Sequence, residues 1–168
     1  MVSAVRAPEI WWNAVAGVLD PEVPVLSVVD LGIVRDVRED GDTVVVDVTP
    51  TYSGCPAMRV IERDIVQALQ AAGAGAVRVN TVFTPAWTTD WISEDARERL
   101  RAYGIAPPSG RAPVAAELVP LLHRTPAVAC PQCRSERTEQ RSEFGSTACK
   151  AIWYCTDCRQ PFEYLKAI

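Results

Sequence analysis

Histidine is almost absent from this chain: 168 residues contain one, His123, against six cysteines. A lone histidine disfavours histidine-based catalysis and any multi-histidine metal site, and it leaves thiolates as the prominent chemistry. It also excludes a di-iron carboxylate oxygenase centre, which requires paired Glu-x-x-His motifs. Here Val119 and Pro120 stand before His123 where a glutamate would be needed. Long apolar runs are missing too. The longest stretch without a charged residue is Ile65 to Val77, 13 residues, whereas a membrane-spanning helix takes roughly 20. Residues Met1 to Asp20 lack the basic start, apolar centre and small-residue cleavage site of a secretory signal. The expected setting is the cytoplasm, with no membrane contact and with thiols kept reduced, so clustered cysteines read as metal ligands rather than disulfides. An excess of positive charge is absent as well: 17 basic residues face 21 acidic ones, a net charge of −4. That argues against nucleic acid as a partner.

What remains is 48% hydrophobic and 23% charged, a globular composition. The cysteines divide it. Cys55 stands alone, and five others lie between Cys130 and Cys158, beyond a region marked by Pro107, Pro108, Pro113, Pro120 and Pro126. Three parts are expected: a domain over residues 1–105, a proline-rich linker over 106–127 that carries His123, and a module over 128–168. The first part can bury its own core. The last 41 residues cannot without a staple.

In the first part, Ile10, Ala14 and Val18 recur at helical spacing beside Trp11, Val15 and Leu19, which predicts a helix ending near Asp20-Pro21. Asp20-Pro-Glu-Val-Pro24 must be a loop. Ile33–Glu39 and Thr43–Thr49 read as strands joined by a turn at Asp40-Gly41. Pro56 opens a helix with Ile61, Ile65, Ala68, Leu69 and Ala72 on one face, ended by Gly73 and Gly75. Ala76–Phe83 is a third strand, and Ser93 caps a last helix running to Tyr103. The expected fold class is α/β: a small three-stranded mixed sheet with covering helices, followed by a four-cysteine zinc-ribbon module.

That module carries Cys130-Pro-Gln-Cys133 and Cys155-Thr-Asp-Cys158, 21 residues apart. Two residues between cysteines let both thiolates of a knuckle reach one ion, and two knuckles complete the four ligands of a structural zinc site. Iron or an iron–sulfur cluster uses the same donors, which would make an electron-transfer protein. The intervening residues fit a hairpin, with Arg137–Glu143 running out and Ala151–Tyr154 back. Residues 128–168 hold six basic and five acidic residues, net +1, little for a nucleic-acid-binding ribbon. Cys149 is surplus to the four ligands and reads as a small buried thiol, an alternative ligand or a point of metal transfer.

Thr49-Pro-Thr-Tyr-Ser-Gly-Cys55-Pro56 joins a strand to a helix, placing Cys55 at the helix start, with Gly54 allowing a tight turn. A nucleophile, a metal ligand, an anion pocket and a buried loop thiol capped by Ser53 all fit that position. Asp20, Glu22 and Asp30 flank the preceding loop, either as oxygen ligands beside Cys55 or as loop charge and caps. Trp87 and Trp91 read as packing or interface residues.

Together these segments resemble a known family. Asp20-Pro-Glu-Val-Pro-Val-Leu-Ser-Val-Val-Asp30-Leu-Gly-Ile-Val-Arg35, Thr49–Pro56 and Phe83-Thr-Pro-Ala-Trp87 are similar to the iron–sulfur assembly domain of SufT-like and cluster-targeting proteins. The tail, with Phe144-Gly-Ser-Thr-Ala-Cys-Lys150 and Pro161-Phe-Glu-Tyr164 around its knuckles, resembles the PaaD branch of the phenylacetyl-CoA epoxidase system. The resemblance implies an accessory role in maturing a metal centre for ring epoxidation in aerobic phenylacetate catabolism, with turnover on other chains. It implies Cys55 as the functional thiol, Asp20, Glu22 and Asp30 in its acidic loop, and Cys130, Cys133, Cys155 and Cys158 as metal ligands. The implied cofactors are structural zinc and a transient iron or iron–sulfur cluster. The implied partners are the other oxygenase subunits, and self-association is left open.

Overall fold

The computed structural model describes residues 5–6, 8–52, 54–108 and 127–168. The chain divides into two compact units, Met1–Trp87 and Thr88–Ile168. His123 and most of the expected linker lie outside the described residues.

In the first unit, helix α1 (Glu9–Ala16) follows Pro8. It stops short of the expected Asp20 because the next backbone groups bond to a returning loop. Val28 N donates to Val18 O (2.9 Å) and Asp20 N to Leu26 O (3.0 Å). Strands β2 (Val34–Asp40) and β3 (Thr43–Val48) form an antiparallel hairpin that pairs Asp40 with Thr43. Its two-residue loop needs the positive φ of Gly41, +60°. Helix α2 (Met58–Ala71) then crosses to strand β4 (Ala76–Thr81), which runs parallel to β3 with Val48 opposite Thr81. The three-stranded mixed sheet is therefore present. A two-residue edge strand, β1 (Val5–Arg6), adds a fourth member beside β2. Two residues carry no alternation that could announce a strand.

Val44, Val46 and Val48 share one face of β3 with Val37 and Val34 of β2. These five side chains are buried, as are Ile61, Ile65 and Leu69 of α2, and Leu26 and Val28 of the loop. Each such burial stabilises by roughly 1.5–3 kcal/mol. The other face carries charge. Arg38 grips Asp47 through two nitrogens, Nη2 to Oδ1 at 3.2 Å, and Asn80 Nδ2 donates to the same Oδ1 at 3.0 Å.

The second unit begins with helix α3 (Glu94–Tyr103), capped by Ser93 Oγ accepting from Ala96 N (3.1 Å) and ended by Gly104 at φ +95°. The sequence pattern groups this helix with the first domain. The structure assigns it to the second unit, because strand β5 (Ile105–Ala106), which follows it directly, pairs parallel with β8 (Pro161–Leu165). Strands β6 (Thr138–Ser142) and β7 (Lys150–Cys155) make the expected hairpin. The sheet order is β5-β8-β7-β6. Ala106, Val128, Ala151, Trp153, Phe162 and Tyr164 form its core together with Cys130 and Cys155. Trp153 and Tyr164 meet edge to face at 5.9 Å.

Candidate functional site

The two CxxC knuckles have the same local fold. Each first cysteine donates its N–H to a carbonyl five residues on: Cys130 to Ser135 O (2.9 Å), Cys155 to Gln160 O (3.0 Å). Each second cysteine is followed by an arginine in the left-handed region, Arg134 at φ +63° and Arg159 at +59°. That conformation costs a non-glycine residue about 1–2 kcal/mol. Both knuckles accept it to turn their thiols inward. The four Sγ atoms lie within 4.8 Å of one another. The close pairs cross between knuckles, Cys130 to Cys158 and Cys133 to Cys155, both at 3.6 Å.

A tetrahedral ion with metal–sulfur bonds of about 2.3 Å has sulfur atoms about 3.8 Å apart. The donor set fits. Burial pushes the Cys158 thiol up to about 12, while a hydrogen bond from the Cys158 backbone holds Cys155 below the usual thiol range. A cation bound there would displace the thiol protons. The four cysteines could hold a metal ion. Among the described residues they are the one convergent group of three or more such ligands.

Cys149 lies outside that group. It is buried, its Sγ is 3.0 Å from Thr147 Oγ1, and its carbonyl accepts from Lys166 N at 2.9 Å. The loop around it wraps an ion pair that spacing did not reveal. Lys150 Nζ meets Glu163 Oε2 at 2.9 Å, and Ser146 N donates to Glu163 Oε1 at 3.0 Å.

In the first unit, strand directions gather the motifs at one end of the sheet. Parallel β3 and β4 both leave there, and antiparallel β2 enters there. The loops at 18–33, 49–57 and 82–87 thus meet. Thr49 N donates to Ile33 O, Val82 N to Val48 O and the buried Trp87 Nε1 to Leu31 O, each at 2.8 Å. The carboxyl ends of sheet strands are where open α/β folds place ligands. Cys55 is half-buried in the middle loop, after exposed Gly54 at φ +84°. Pro56 and Ala57 form a turn, so α2 begins at Met58 rather than Pro56. Met58 N reaches back to Cys55 O at 3.4 Å. Ser53, the expected cap, lies outside the described residues. Phe83 on the third loop is 65% exposed.

The acidic residues shape the first loop. Buried Asp20 accepts through Oδ1 from the N–H groups of Glu22 and Val23, both at 2.8 Å. Asp30 and Ser27 exchange bonds, Ser27 N to Asp30 Oδ2 (2.9 Å) and Asp30 N to Ser27 Oγ (3.0 Å). Asp20, Glu22, Asp30 and Cys55 contribute to no convergent donor group among the described residues. The turn-forming bonds of Asp20 and Asp30 are the local role their positions in a proline-rich loop favour.

Known proteins share both units. Residues 12–81 match the family described as iron-sulfur cluster assembly protein, and residues 116–166 match the PaaD zinc beta ribbon domain. An Escherichia coli (strain K12) protein, provisionally designated a 1,2-phenylacetyl-CoA epoxidase subunit, is 48% identical over 157 residues, 94% of this chain and 91% of that one. The chain belongs to the PaaD family of phenylacetyl-CoA epoxidase subunits. The first unit of this PaaD-family chain has wider kin. A Porphyromonas gingivalis Fe-S protein maturation auxiliary factor is 37% identical over 85 residues, 49% of this chain and 80% of that protein. A domain of unknown function from Bacillus anthracis, known as a crystal structure, matches with TM-score 0.50 and 29% identity over 55% of this chain and 88% of that one. It supports the α/β fold of the first unit. Among the described residues, no helix is long and apolar enough to cross a membrane.

Proposed function

We propose that the chain is an accessory maturation subunit of a multicomponent phenylacetyl-CoA 1,2-epoxidase in aerobic phenylacetate catabolism, working in the cytoplasm beside the other oxygenase subunits. The observation that carries this reading is the joining, in one chain, of an assembly-type domain and a four-cysteine ribbon, alike over nearly their whole length to the Escherichia coli epoxidase subunit. Its task is to help assemble a metal centre or iron–sulfur cluster that works on another chain.

Within this reading the two units divide the labour. Cys130, Cys133, Cys155 and Cys158 would hold zinc, which supplies a structural cross-link with no open coordination position. Cys55 makes the transient contact with iron or a cluster, which is cargo here. Its support is its place on the middle of three loops at the carboxyl ends of β3 and β4, half-exposed beside a glycine that leaves room for approach. Asp20 and Asp30 set the shape of the loop next to it rather than binding the cargo. Cys55→Ala should abolish ring epoxidation in cells while the purified chain keeps its fold and about one zinc per molecule, as a four-cysteine site requires. Normal epoxidation by that variant would remove Cys55 from the mechanism.

A further inference from the structure

We propose that Ser135, Arg137 and Asp157 form a latch that presets the distance between the two knuckles, so that the four thiolates stand ready for their ion. The proposal rests on the metal reading of the cysteine cluster and adds positioning residues that the cysteine spacing does not contain.

The two knuckles come from segments more than 20 residues apart, and both short sulfur–sulfur distances run between them. Something must hold the knuckles at that separation. Asp157 lies inside the second knuckle, between Cys155 and Cys158, and both of its carboxylate oxygens are engaged by residues just past the first. Ser135 Oγ donates to Oδ2 and Arg137 Nη2 to Oδ1. Arg137 N in turn donates to Ser135 Oγ at 3.0 Å, which fixes the hydroxyl to point at Asp157. The neighbouring residue closes the same gap from the backbone. Thr156 N and Thr156 Oγ1 both donate to Arg137 O, at 3.0 and 2.9 Å.

These bonds link residues 135–137 to residues 156–157. Each segment is tied directly to a metal knuckle, since Ser135 O accepts the N–H of Cys130. A displacement of Asp157 therefore moves Cys155 and Cys158 relative to Cys130 and Cys133. The Arg137–Asp157 contact is also an ion pair, so charge as well as hydrogen bonding joins the residues that follow the first knuckle to the interior of the second.

The experiment measures zinc release from the full chain to a chromophoric chelator, for the parent and for Asp157→Ala, Asp157→Asn, Ser135→Ala and the Ser135→Ala/Asp157→Ala double variant. Loss of a residue that orients metal ligands costs about 10–100-fold in metal affinity, so Asp157→Ala should release zinc faster by about that factor. Asp157→Asn, which keeps an acceptor for Ser135, should fall between it and the parent. Ser135→Ala should hasten release in the parent and add little in the Asp157→Ala background. The cobalt-substituted variants should keep the parent's visible absorption, which reports four thiolate ligands. Release at the parent rate, additive effects of the two substitutions, or a changed cobalt spectrum would each overturn the latch. Absence of any bound metal in the parent would instead overturn the metal reading beneath it.

Discussion

Gly145 sits where a side chain would press on its neighbours. A Cβ built there would lie 3.1 Å from Glu163 Oε1 and 3.3 Å from both Cβ and the carbonyl oxygen of Lys150. Its N–H donates to that same carbonyl at 2.7 Å, so the backbones cannot separate without losing the bond. Gly145→Ala should therefore lower stability by about 1–3 kcal/mol, the usual range for overpacking. Urea unfolding of the metal-loaded chain, followed by Trp153 fluorescence, checks this. An unchanged midpoint would mean the loop can give way. The motif from Phe144 to Lys150 stands out in the sequence, but its purpose does not. The glycine is explained by Glu163, which comes opposite Ile152 and within reach of Lys150 only when β7 and β8 pair. Asp157 was hidden for a similar reason. Between two cysteines it reads as spacer, and its partners Ser135 and Arg137 follow the other knuckle, 22 and 20 residues away. The four cysteines themselves were legible, because two residues between thiols is a local requirement of a tetrahedral ion.

At the level of elements, the charged face of the first sheet depends on a carboxylate that three strands share. Asp47 of β3 is held by Arg38 of β2 and Asn80 of β4. Burial alone would raise its carboxyl, but the hydrogen bonds from Arg38 and Asn80 keep it below the usual aspartate range. A carboxylate lowered on folding contributes its stability above the unfolded value, about 3.9, and loses it as pH falls through the lower folded value. Asp47→Asn should thus unfold at lower urea than the parent near neutral pH, with a gap that shrinks as pH falls below the ordinary aspartate value of about 3.9. Because both partners are partly exposed, the gap should be at most about 1 kcal/mol. A gap that widens on acidification would refute the assignment. The hairpin and α2 were legible to within a few residues, since turn glycines and the apolar stripe are local signals. The start of α2 was not, because Pro56 and Ala57 turn before the helix rather than within it. Strand β8 escaped notice because it has no turn of its own type to announce it and is defined by pairing with β7 and β5.

For the whole molecule, the two units should answer differently to loss of metal. Cys130 and Cys155 are members of the core that also contains Trp153, Phe162 and Tyr164. Zinc binding contributes an apparent stabilisation of about 10–16 kcal/mol in zinc-finger peptides, comparable to or larger than the stability of a typical domain. Stripping zinc with a chelator should abolish the near-ultraviolet circular dichroism of Trp153 and expose the amides of β6, β7 and β8 to hydrogen exchange. The amides of β2, β3 and β4 should remain protected. Retention of the native signal by metal-free protein would show that the ribbon holds itself together. The composition was enough to say that the cysteine-rich end needs a staple. It could not say that α3 would side with that end, because the partner of β5 lies at the far end of the chain.

That partnership has a consequence for synthesis. The sheet of the first unit is closed by β4, and its loop anchor Trp87 follows within a few residues. Those pairings can form while later residues are still being added at the ribosome. The second unit has no such freedom. Strand β5 at Ile105–Ala106 must wait for Glu163 and Tyr164, and Thr89 N bonds Ile168 O at 3.1 Å. A chain paused after residue 87 but before residue 161 can carry a finished first unit while β5 still lacks its partner strand β8, so quality control during translation has one segment to guard rather than two.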